Sequence, residues 1–281
     1  MFKFPIGVIL DSFCCPFDEA VKRAVDCGAE GLQMYVVSGE FAPESFTTSR
    51  RREVLDIVKS KGLVFSALCG DFGQGFYDED KNPLLIERSK RIIELAKELE
   101  TNIVTTHIGV VPSDASSRKY SVMQNACSQL GRYADGLDAF FAVETGPERS
   151  IVLKKFLDSL GTKGLSVNFD PANLVMVQGE RPSEAVYNLR DYIVHTHAKD
   201  GVRLADVSAE QLYGNDIENE IDAARAFKEL PLGEGDVDFE NYLKALADMG
   251  YSGFLTIERE CGDNPTADIK NAVEFLKKYY T

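Results

Sequence analysis

The chain has 281 residues and is 44% hydrophobic, which is enough to bury one large or two modest cores. Its formal net charge of -14 repels a phosphate backbone, and no basic stripe with interleaved aromatic residues offsets it, so we expect no nucleic acid partner. No apolar run reaches the roughly 18 residues that a membrane span needs, and the first residues lack a signal pattern. We therefore expect a cytoplasmic protein without membrane attachment.

Short apolar runs recur along the whole chain and predict eight β-strands. Most are rich in Val, Ile, Leu and Phe, which is typical of strands buried on both faces. The predicted strands are Pro5–Leu10, Gly31–Val37, Leu63–Leu68, Asn102–His107, Phe140–Glu144, Leu165–Asp170, the strand within Tyr192–Gly201, and Gly253–Glu258.

Segments with apolar residues spaced by three and four alternate with these strands and predict helices. The predicted helices are Pro16–Cys27, Thr48–Lys61, Pro83–Leu99, Ala115–Leu137, Arg149–Leu160, Ser183–Leu189, Phe239–Met249 and Thr266–Tyr279. Strict β/α alternation implies parallel strands with crossover helices, and eight such units close naturally into a barrel. A doubly wound open sheet is the competing fold, but no GxGxxG follows the first strand. The prediction is an α/β fold, a single-domain (β/α)8 TIM barrel over residues 1–281.

Two features interrupt or decorate this alternation. A charged excursion of about residues 202–235 follows the seventh strand. It ends in the sequence PLGEGDVDF at residues 231–239, which we interpret as a tight rim loop leading to a helix capped by Asp238. Six cysteines are scattered without a CxxC pair, which is typical of reduced thiols in a cytosolic enzyme and disfavours a disulfide framework or a cysteine zinc site.

The seventh strand carries two of the three histidines of the chain, in the stretch YIVHTHAKDG at Tyr192–Gly201. His195 and His197 are two residues apart, and this spacing on a strand puts both imidazoles on one face. Lys199 follows where the strand should end. The cluster indicates part of a metal site or an acid–base site.

Other strands deliver polar residues to the same end of the predicted barrel, where the chemistry of this fold lies. A carboxylate or histidine closes every predicted strand from the fourth to the eighth: His107, Glu144, Asp170, His195 with His197, and Glu258. Oxygen and nitrogen ligands without thiolates suit a divalent ion such as Mn²⁺, Mg²⁺, Co²⁺ or Zn²⁺. Three carboxylates and one imidazole would leave such an ion able to bind neutral hydroxyl and carbonyl oxygens, which favours polyols.

Taken singly, each of these residues also fits an ordinary structural role. His107 could be a buried histidine bonded to the backbone, and Tyr35, late in the second strand, could be packing rather than a platform for a sugar. His195 lies one pleat deeper than His197, which favours a supporting role. Lys199 could form only a rim salt bridge with Asp200. The joint placement is what favours a site.

These residues lie in motifs that resemble a known family over nearly the whole chain. The motifs are VETGPE around Glu144, NFDPAN around Asp170, HTHAKDG around His197, the loop PLGEGDVDF, and GFLTIERE around Glu258. Together they resemble the xylose isomerase-like TIM barrels, a group that includes sugar phosphate isomerases and epimerases.

Within that group, the likeness to ketose 3-epimerases implies one divalent ion, Mn²⁺ in the first place, with Mg²⁺, Co²⁺ or Zn²⁺ as alternatives. It implies that Glu144, Asp170, His197 and Glu258 are the metal ligands. It also implies that Glu144 and Glu258 are catalytic, one removing a proton from the substrate and the other returning it to the opposite face of a metal-stabilised enediolate.

The chain departs from the epimerase pattern at positions that contact substrate. Asn173 stands where epimerases carry a histidine, Ser150 stands where they carry a second glutamate, and Arg203 matches their arginine only approximately. The substrate is therefore not transferred from the epimerases. The candidate substrate-binding residues are Tyr35, His107, Asn173, His195, Lys199 and Arg203.

Three hypotheses follow. The first is a metal-dependent isomerase or epimerase of a small sugar or polyol. The second is a lyase on the same metal site, similar to inosose dehydratase, dehydroshikimate dehydratase or the catalytic subunit of C-glycoside deglycosidases. The third is a non-catalytic sugar-binding or partner subunit. We expect a homo-oligomer, either a dimer or a tetramer, because many barrels of this group form one.

Overall fold

Eight parallel strands close into a barrel in the computed structural model, which describes residues 3–213, 223–260 and 262–280. Each strand pairs with its neighbours in chain order, and the last barrel strand closes the ring against the first. The predicted (β/α)8 barrel is therefore confirmed. The barrel strands are β1 Ile6–Ile9, β2 Gly31–Tyr35, β3 Val64–Cys69, β4 Ile103–Thr106, β5 Phe140–Glu144, β6 Leu165–Phe169, β7 Ile193–Ala198 and β10 Leu255–Ile257.

Helices surround the barrel and match the predicted helices to within a few residues. The longer helices are α1 Phe17–Cys27, α2 Thr48–Ser60, α3 Asn82–Glu98, α4 Arg118–Asp135, α5 Ser150–Asp158, α7 Pro182–Leu189, α10 Phe239–Asp248 and α11 Pro265–Lys277. None of the described helices combines the length and the hydropathy that a membrane crossing requires.

The first helix shows how the sequence specifies these elements. Ala20, Val21 and Ala24 of α1 are buried at helical spacing, so one stripe of the helix packs on the barrel. Gly28 ends the helix with φ 84°, a left-handed conformation in which glycine carries no steric penalty. The same alternation of a buried strand and a one-sided helix builds the rest of the ring.

Two irregularities in strand pairing reorient side chains inside the barrel. The pairing of β2 with β3 shifts register between Leu32 and Gln33, and the pairing of β6 with β7 shifts between Val167 and Asn168. A register shift of this kind changes the direction of the side chain beside it. As a result, two amide side chains are placed in the barrel interior, next to the histidines of β7.

The predicted excursion contains a small antiparallel sheet that the sequence did not reveal. Strand β8, Asp200–Arg203, pairs with β9, Phe227–Leu230, and two short helices, α8 Ala209–Tyr213 and α9 Ala223–Ala226, lie between them. Residues 214–222 of the excursion lie outside the described part of the chain.

Asp200 ties this small sheet to the rim loop at residues 231–239. Its carboxylate accepts backbone N–H groups from Gly233, Gly235 and Val237 at 2.9, 3.0 and 3.1 Å. The side chain of Asp238 accepts the N–H of Asn241 and caps α10, so the predicted helix cap is confirmed. The rim salt bridge considered between Lys199 and Asp200 is wrong, because Asp200 is occupied by the loop backbone.

A short helical segment after β6 was also not predicted. It consists of α6, Pro171–Asn173, and a wider turn of helix at Leu174–Gln178. Asp170 caps it, because one carboxylate oxygen accepts the backbone N–H of Asn173 at 2.8 Å. The cap fixes Asp170 and turns Asn173 towards the carboxyl end of the barrel.

Candidate metal centre and active site

Four ligand side chains converge at the carboxyl ends of neighbouring barrel strands. Glu144 comes from β5, Asp170 follows β6, His197 lies on β7, and Glu258 follows β10. One ligand atom from each lies within 4.8 Å of those of the other three, and all four residues are buried. This is the geometry of a site for a divalent ion with three carboxylates and one imidazole.

The His197 ring presents one nitrogen to the carboxylates and the other to the barrel interior. Nδ1 lies 3.0 Å from Glu258 Oε2 and 3.6 Å from both Glu144 Oε2 and Asp170 Oδ2. Burial opposes a charge on the ring, but the carboxylates of Glu258 and Glu144 outweigh it and raise the pKa of His197 well above its usual range. The three distances make Nδ1 the nitrogen that faces the carboxylates of the cluster.

Glu144 is surrounded mainly by neutral amides. Asn173 Nδ2 donates to its Oε1 at 2.8 Å, and Asn168 Nδ2 donates to its Oε2 at 3.2 Å. Burial raises the pKa of Glu144 to about 7, although His107 and His197 oppose the rise. Part of the Glu144 population is therefore protonated near neutral pH in the metal-free protein.

Glu258 has cationic neighbours instead. Lys199 Nζ lies 3.2 Å from its Oε2, and the same ammonium group also contacts Glu260. Burial disfavours the ionised carboxylate, but Lys199 and His197 outweigh it and hold the pKa of Glu258 well below its usual range. Glu258 is therefore ionised over the whole physiological range.

The donor set fits a metal ion because it leaves one buried oxygen without a hydrogen bond. Asp170 Oδ1 caps the helical segment, while Asp170 Oδ2 is fully buried and accepts no hydrogen bond within the described residues. Buried polar atoms almost always have a partner, and an unpaired one needs an explanation. A cation among the four side chains supplies the missing partner, so this buried Glu, Asp and His cluster could bind a divalent metal.

His107 lies at the mouth of the site and forms a pair with Asp71. Its Nδ1 is 2.9 Å from Asp71 Oδ2, and its Nε2 is 3.7 Å from Glu144 Oε1. Partial burial opposes a charge on the ring, but Glu144 and Asp71 outweigh it and raise the pKa of His107 to about 9. His107 thus connects the cluster to the surface.

A cavity of about 270 Å³ opens beside this pair. The glycine-rich loop after β3 forms much of its wall. Its lining residues are Asp71, Gly73, Gln74, Gly75, Tyr77, His107, Gly109 and Pro147. His107 therefore lies between this cavity and the Glu144 carboxylate of the cluster.

The structure brings three more of the candidate substrate-binding residues to the cluster. Asn173 and Lys199 contact Glu144 and Glu258 as described above. Tyr35 ends β2, and the Cys69 thiol, burial and the carboxylates of Glu258 and Glu144 raise the pKa of its phenol, so its side chain is electrostatically coupled to the cluster. The roles of these residues in substrate binding remain predictions.

His195 and Arg203 occupy different positions. His195 is buried one layer below His197, where its Nε2 contacts Gln33 Oε1 at 3.1 Å and Thr256 Oγ1 at 3.0 Å. Arg203 lies on β8, and its guanidinium contacts Asp206 at 2.5 Å. None of the described contacts joins Arg203 to the cluster.

Sequence reasoning missed the amides that support the cluster. Asn168 donates to Glu144 and lies over the His197 ring, and Gln33 Oε1 lies 3.2 Å from His197 Nε2. Both residues are mid-strand and follow register shifts, which the apolar pattern does not show. The only available signal was a polar residue in the middle of a buried strand.

The sequence places this fold and cluster in a known family. Residues 21–279 match the family described as xylose isomerase-like TIM barrel. The chain belongs to this family. The resemblance seen in its motifs is confirmed, and members of the xylose isomerase-like TIM barrel family are mostly enzymes, among them epimerases, isomerases and dehydratases.

Solved structures and curated relatives give the same picture. The xylose isomerase domain protein from Planctomyces limnophilus is 25% identical, with 98% of this chain and 96% of that chain covered and a TM-score of 0.79. A D-tagatose 3-epimerase-like protein shares the fold at 18% identity, with 99% and 97% covered and a TM-score of 0.75.

Among curated relatives, the inosose dehydratase of Clostridium botulinum (strain Alaska E43 / Type E3) is 28% identical over 167 residues, 58% of this chain and 53% of that protein. The chain aligns with 69%, 63% and 53% of the lengths of three curated relatives, which is about two thirds or less of those proteins.

Proposed function

We propose that the protein is a divalent-metal-dependent isomerase or epimerase of a small sugar or polyol. The observation that carries this proposal is the buried cluster of Glu144, Asp170, His197 and Glu258, in which two glutamates of opposite electrostatic character lie on either side of one histidine. Pairs of titratable groups whose pKa values are pushed apart are typical of acid–base sites.

The four residues of the cluster would hold the ion through carboxylate oxygens and His197 Nδ1. A bound divalent ion supplies Lewis acidity that polarises a carbonyl group and makes the neighbouring C–H more acidic. Mn²⁺ is our first choice, with Mg²⁺, Co²⁺ or Zn²⁺ as alternatives. The protein side chains then have to move one proton off a carbon and return one.

Glu144 is the better base of the two glutamates, because its pKa is about 7 whereas that of Glu258 is held low. We assign proton removal to Glu144. Glu258 is an anion at rest, so it would take a proton from the Lys199 ammonium 3.2 Å away and pass it to the other side of the substrate, and Lys199 would regain its proton afterwards.

The cavity beside His107 favours a neutral, hydroxyl-bearing substrate. Its described lining contains the Asp71 carboxylate and several backbone groups of glycines, and it contains no lysine or arginine. A phosphate group needs several cationic or helix-terminus partners, and the cationic side chain in this lining, His107, is already paired with Asp71. Hydroxyl groups can donate to Asp71, so a sugar or polyol fits better than a sugar phosphate.

A lyase acting at the same site is the second candidate function. Expulsion of a hydroxyl group needs a proton donor beside the leaving oxygen, and the buried Lys199 ammonium next to Glu258 is such a donor. The relative named as an inosose dehydratase points to the same class of reaction.

One experiment separates the two candidates. The metal content of the purified protein is measured first, and ketoses and inososes are then screened by NMR in D₂O with that metal. Deuterium entering a substrate carbon without loss of water supports an isomerase or epimerase, and an unsaturated or deoxy product supports the lyase. A metal-loaded protein that exchanges no carbon-bound proton in any of these substrates would contradict both and favour a non-catalytic subunit.

A further inference from the structure

Gln33 is a fully buried amide that links both histidines of β7. It lies on β2 and is 1% exposed. Its side-chain oxygen, Oε1, lies 3.1 Å from His195 Nε2 and 3.2 Å from His197 Nε2. No step of the proposed reaction uses this residue, so a polar side chain with two hydrogen-bond contacts in the barrel interior needs another explanation.

We propose that Gln33 is a positioning residue that sets the tautomer of His197. Its Oε1 accepts the Nε2–H of His197, so that Nδ1 is the nitrogen that would give up its proton and present its lone pair to an ion held by the carboxylates. The inference rests on the proposed metal site, because the consequence of this tautomer is that Nδ1 is the nitrogen that binds the ion.

The two ring nitrogens of His197 have different surroundings, and these decide which nitrogen can bind an ion. Nδ1 faces the oxygens of Glu258, Glu144 and Asp170, so an ion held by those oxygens meets Nδ1. A neutral imidazole carries its proton on the other nitrogen, and a hydrogen bond to that nitrogen decides which tautomer is present.

Gln33 is the acceptor that can hold this proton. The other polar atom near His197 Nε2 is Asn168 Nδ2, at 3.2 Å, and this group is itself a donor, with one of its two hydrogens going to Glu144 Oε2. An amide nitrogen cannot accept the imidazole proton. Among the described contacts of Nε2, only the Gln33 oxygen has the required character.

The register shift and the buried His195 fix the orientation of the Gln33 side-chain amide. The register shift between β2 and β3 lies directly before Gln33, where Gln33 pairs with Ala67 and Ser66 is the extra residue. His195 contacts the same oxygen from the next layer and also contacts Thr256 Oγ1. A rigid amide held in this way orients the ring, as partners of metal-binding histidines commonly do.

The test compares Gln33→Leu with Gln33→Glu by titrating Mn²⁺ calorimetrically into the metal-free proteins. Gln33→Leu removes the acceptor, and we expect Mn²⁺ binding to weaken by about 10- to 100-fold. Gln33→Glu keeps an acceptor oxygen and is expected to restore the affinity. Gln74→Leu, which changes a glutamine at the cavity and contacts neither histidine, serves as the matched control.

A spectroscopic measurement separates positioning from a loss of folding. In ¹⁵N-labelled wild-type protein loaded with Zn²⁺, His197 should show a protonated Nε2 and a metal-bound Nδ1, and the Nε2–H signal should be lost or broadened in Gln33→Leu. Equal Mn²⁺ affinity in the wild type and Gln33→Leu, or a metal-bound Nε2, would overturn the inference alone. A wild-type protein that binds no divalent ion would overturn the proposed metal site together with it.

Discussion

The two sides of the cluster hold the same residue type in opposite electrostatic surroundings. On the side of β5 and β6, Glu144 accepts hydrogen bonds from the amides of Asn168 and Asn173. On the side of β7 and β10, Glu258 contacts the Lys199 ammonium and the His197 ring. Both glutamates are 6% exposed, so burial does not distinguish them. Burial raises the pKa of both carboxyls, and their different neighbours leave the pKa of Glu144 near 7 and that of Glu258 well below its usual range.

This difference teaches how one carboxylate can act as a base while the other rests as an anion beside a proton donor, Lys199. Neutral amide donors tolerate either protonation state of Glu144, because they do not add a positive charge. Buried cations beside Glu258 favour only its ionised state. The two sides of the cluster are therefore not interchangeable, and substitutions on each side should have different consequences.

The largest expected effect is on turnover. Glu144→Gln and Glu258→Gln each remove a group that moves a proton, so we expect the rate of deuterium exchange at substrate carbon to fall by about 10²- to 10⁴-fold. The exposed Glu240→Gln on α10 is the control and should keep the full rate. Full activity in either cluster variant would contradict the assigned proton-transfer roles.

The stability of the metal-free protein should separate the two sides. Glu258→Gln leaves Lys199 and His197 as buried charges with fewer partners, and breaking a buried pair in this way costs about 3–5 kcal/mol. Glu144→Gln removes a carboxylate that is partly protonated near pH 7, and its charged neighbours, the His107 and His197 rings, lie 3.7 and 3.6 Å away, so we expect a smaller loss. Urea denaturation measures the free energy of unfolding of each variant. Equal losses in Glu258→Gln and Glu144→Gln would contradict the different electrostatic surroundings of the two glutamates.

The pH dependence of stability offers a smaller test of the Glu144 side. The pKa of Glu144 rises from 4.5 to about 7 on folding, so the folded state resists its ionisation. The contribution of this group is favourable below about pH 4.5 and is lost as the pH rises through 7. The metal-free wild type should lose stability over this range relative to Glu144→Gln, and parallel pH profiles of the two proteins would contradict the raised pKa.

The smallest effect concerns the histidine at the mouth of the site. NMR titration of the metal-free protein should give His107 a pKa of about 9, because the Glu144 and Asp71 carboxylates outweigh its partial burial. Asp71→Asn removes one of these carboxylates and should move the pKa of His107 towards its ordinary value. An unchanged titration in Asp71→Asn would show that the pair in the structure does not control His107.

The sequence predicts the fold well because parallel strands buried on both faces and one-sided helices leave strong patterns. Every barrel strand has a predicted counterpart, and the cap at Asp238 follows from its residue type and position. The β8–β9 sheet left no such pattern. Its short strands are partly exposed and charged, and they are held by Asp200, whose partners lie more than thirty residues away.

The metal ligands are recognisable from the sequence for a similar reason. The ends of the strands can be located from the sequence. Glu144, Asp170, His197 and Glu258 stand out there as polar residues that close apolar runs. The residues that support the metal ligands cannot be recognised from the sequence in this way. Gln33 and Asn168 owe their positions to register shifts, and the contact of Lys199 with Glu258 depends on the pairing of β7 with β10.

The oligomeric state and the cytoplasmic location stay predictions. A dimer or tetramer stays an expectation from the family resemblance. Analytical ultracentrifugation of the purified protein would decide it, and a monomer would contradict the expectation.

The most direct test of the central claim is a calorimetric titration of Mn²⁺ into the metal-free wild type and into Asp170→Asn. Asp170 supplies the buried oxygen without a hydrogen bond, so its loss should affect the ion more than the fold. We predict one bound ion per chain in the wild type and binding weakened by at least about 10-fold in Asp170→Asn. No binding to the wild type, or the same affinity in both proteins, would contradict the assignment of these four residues as a metal centre.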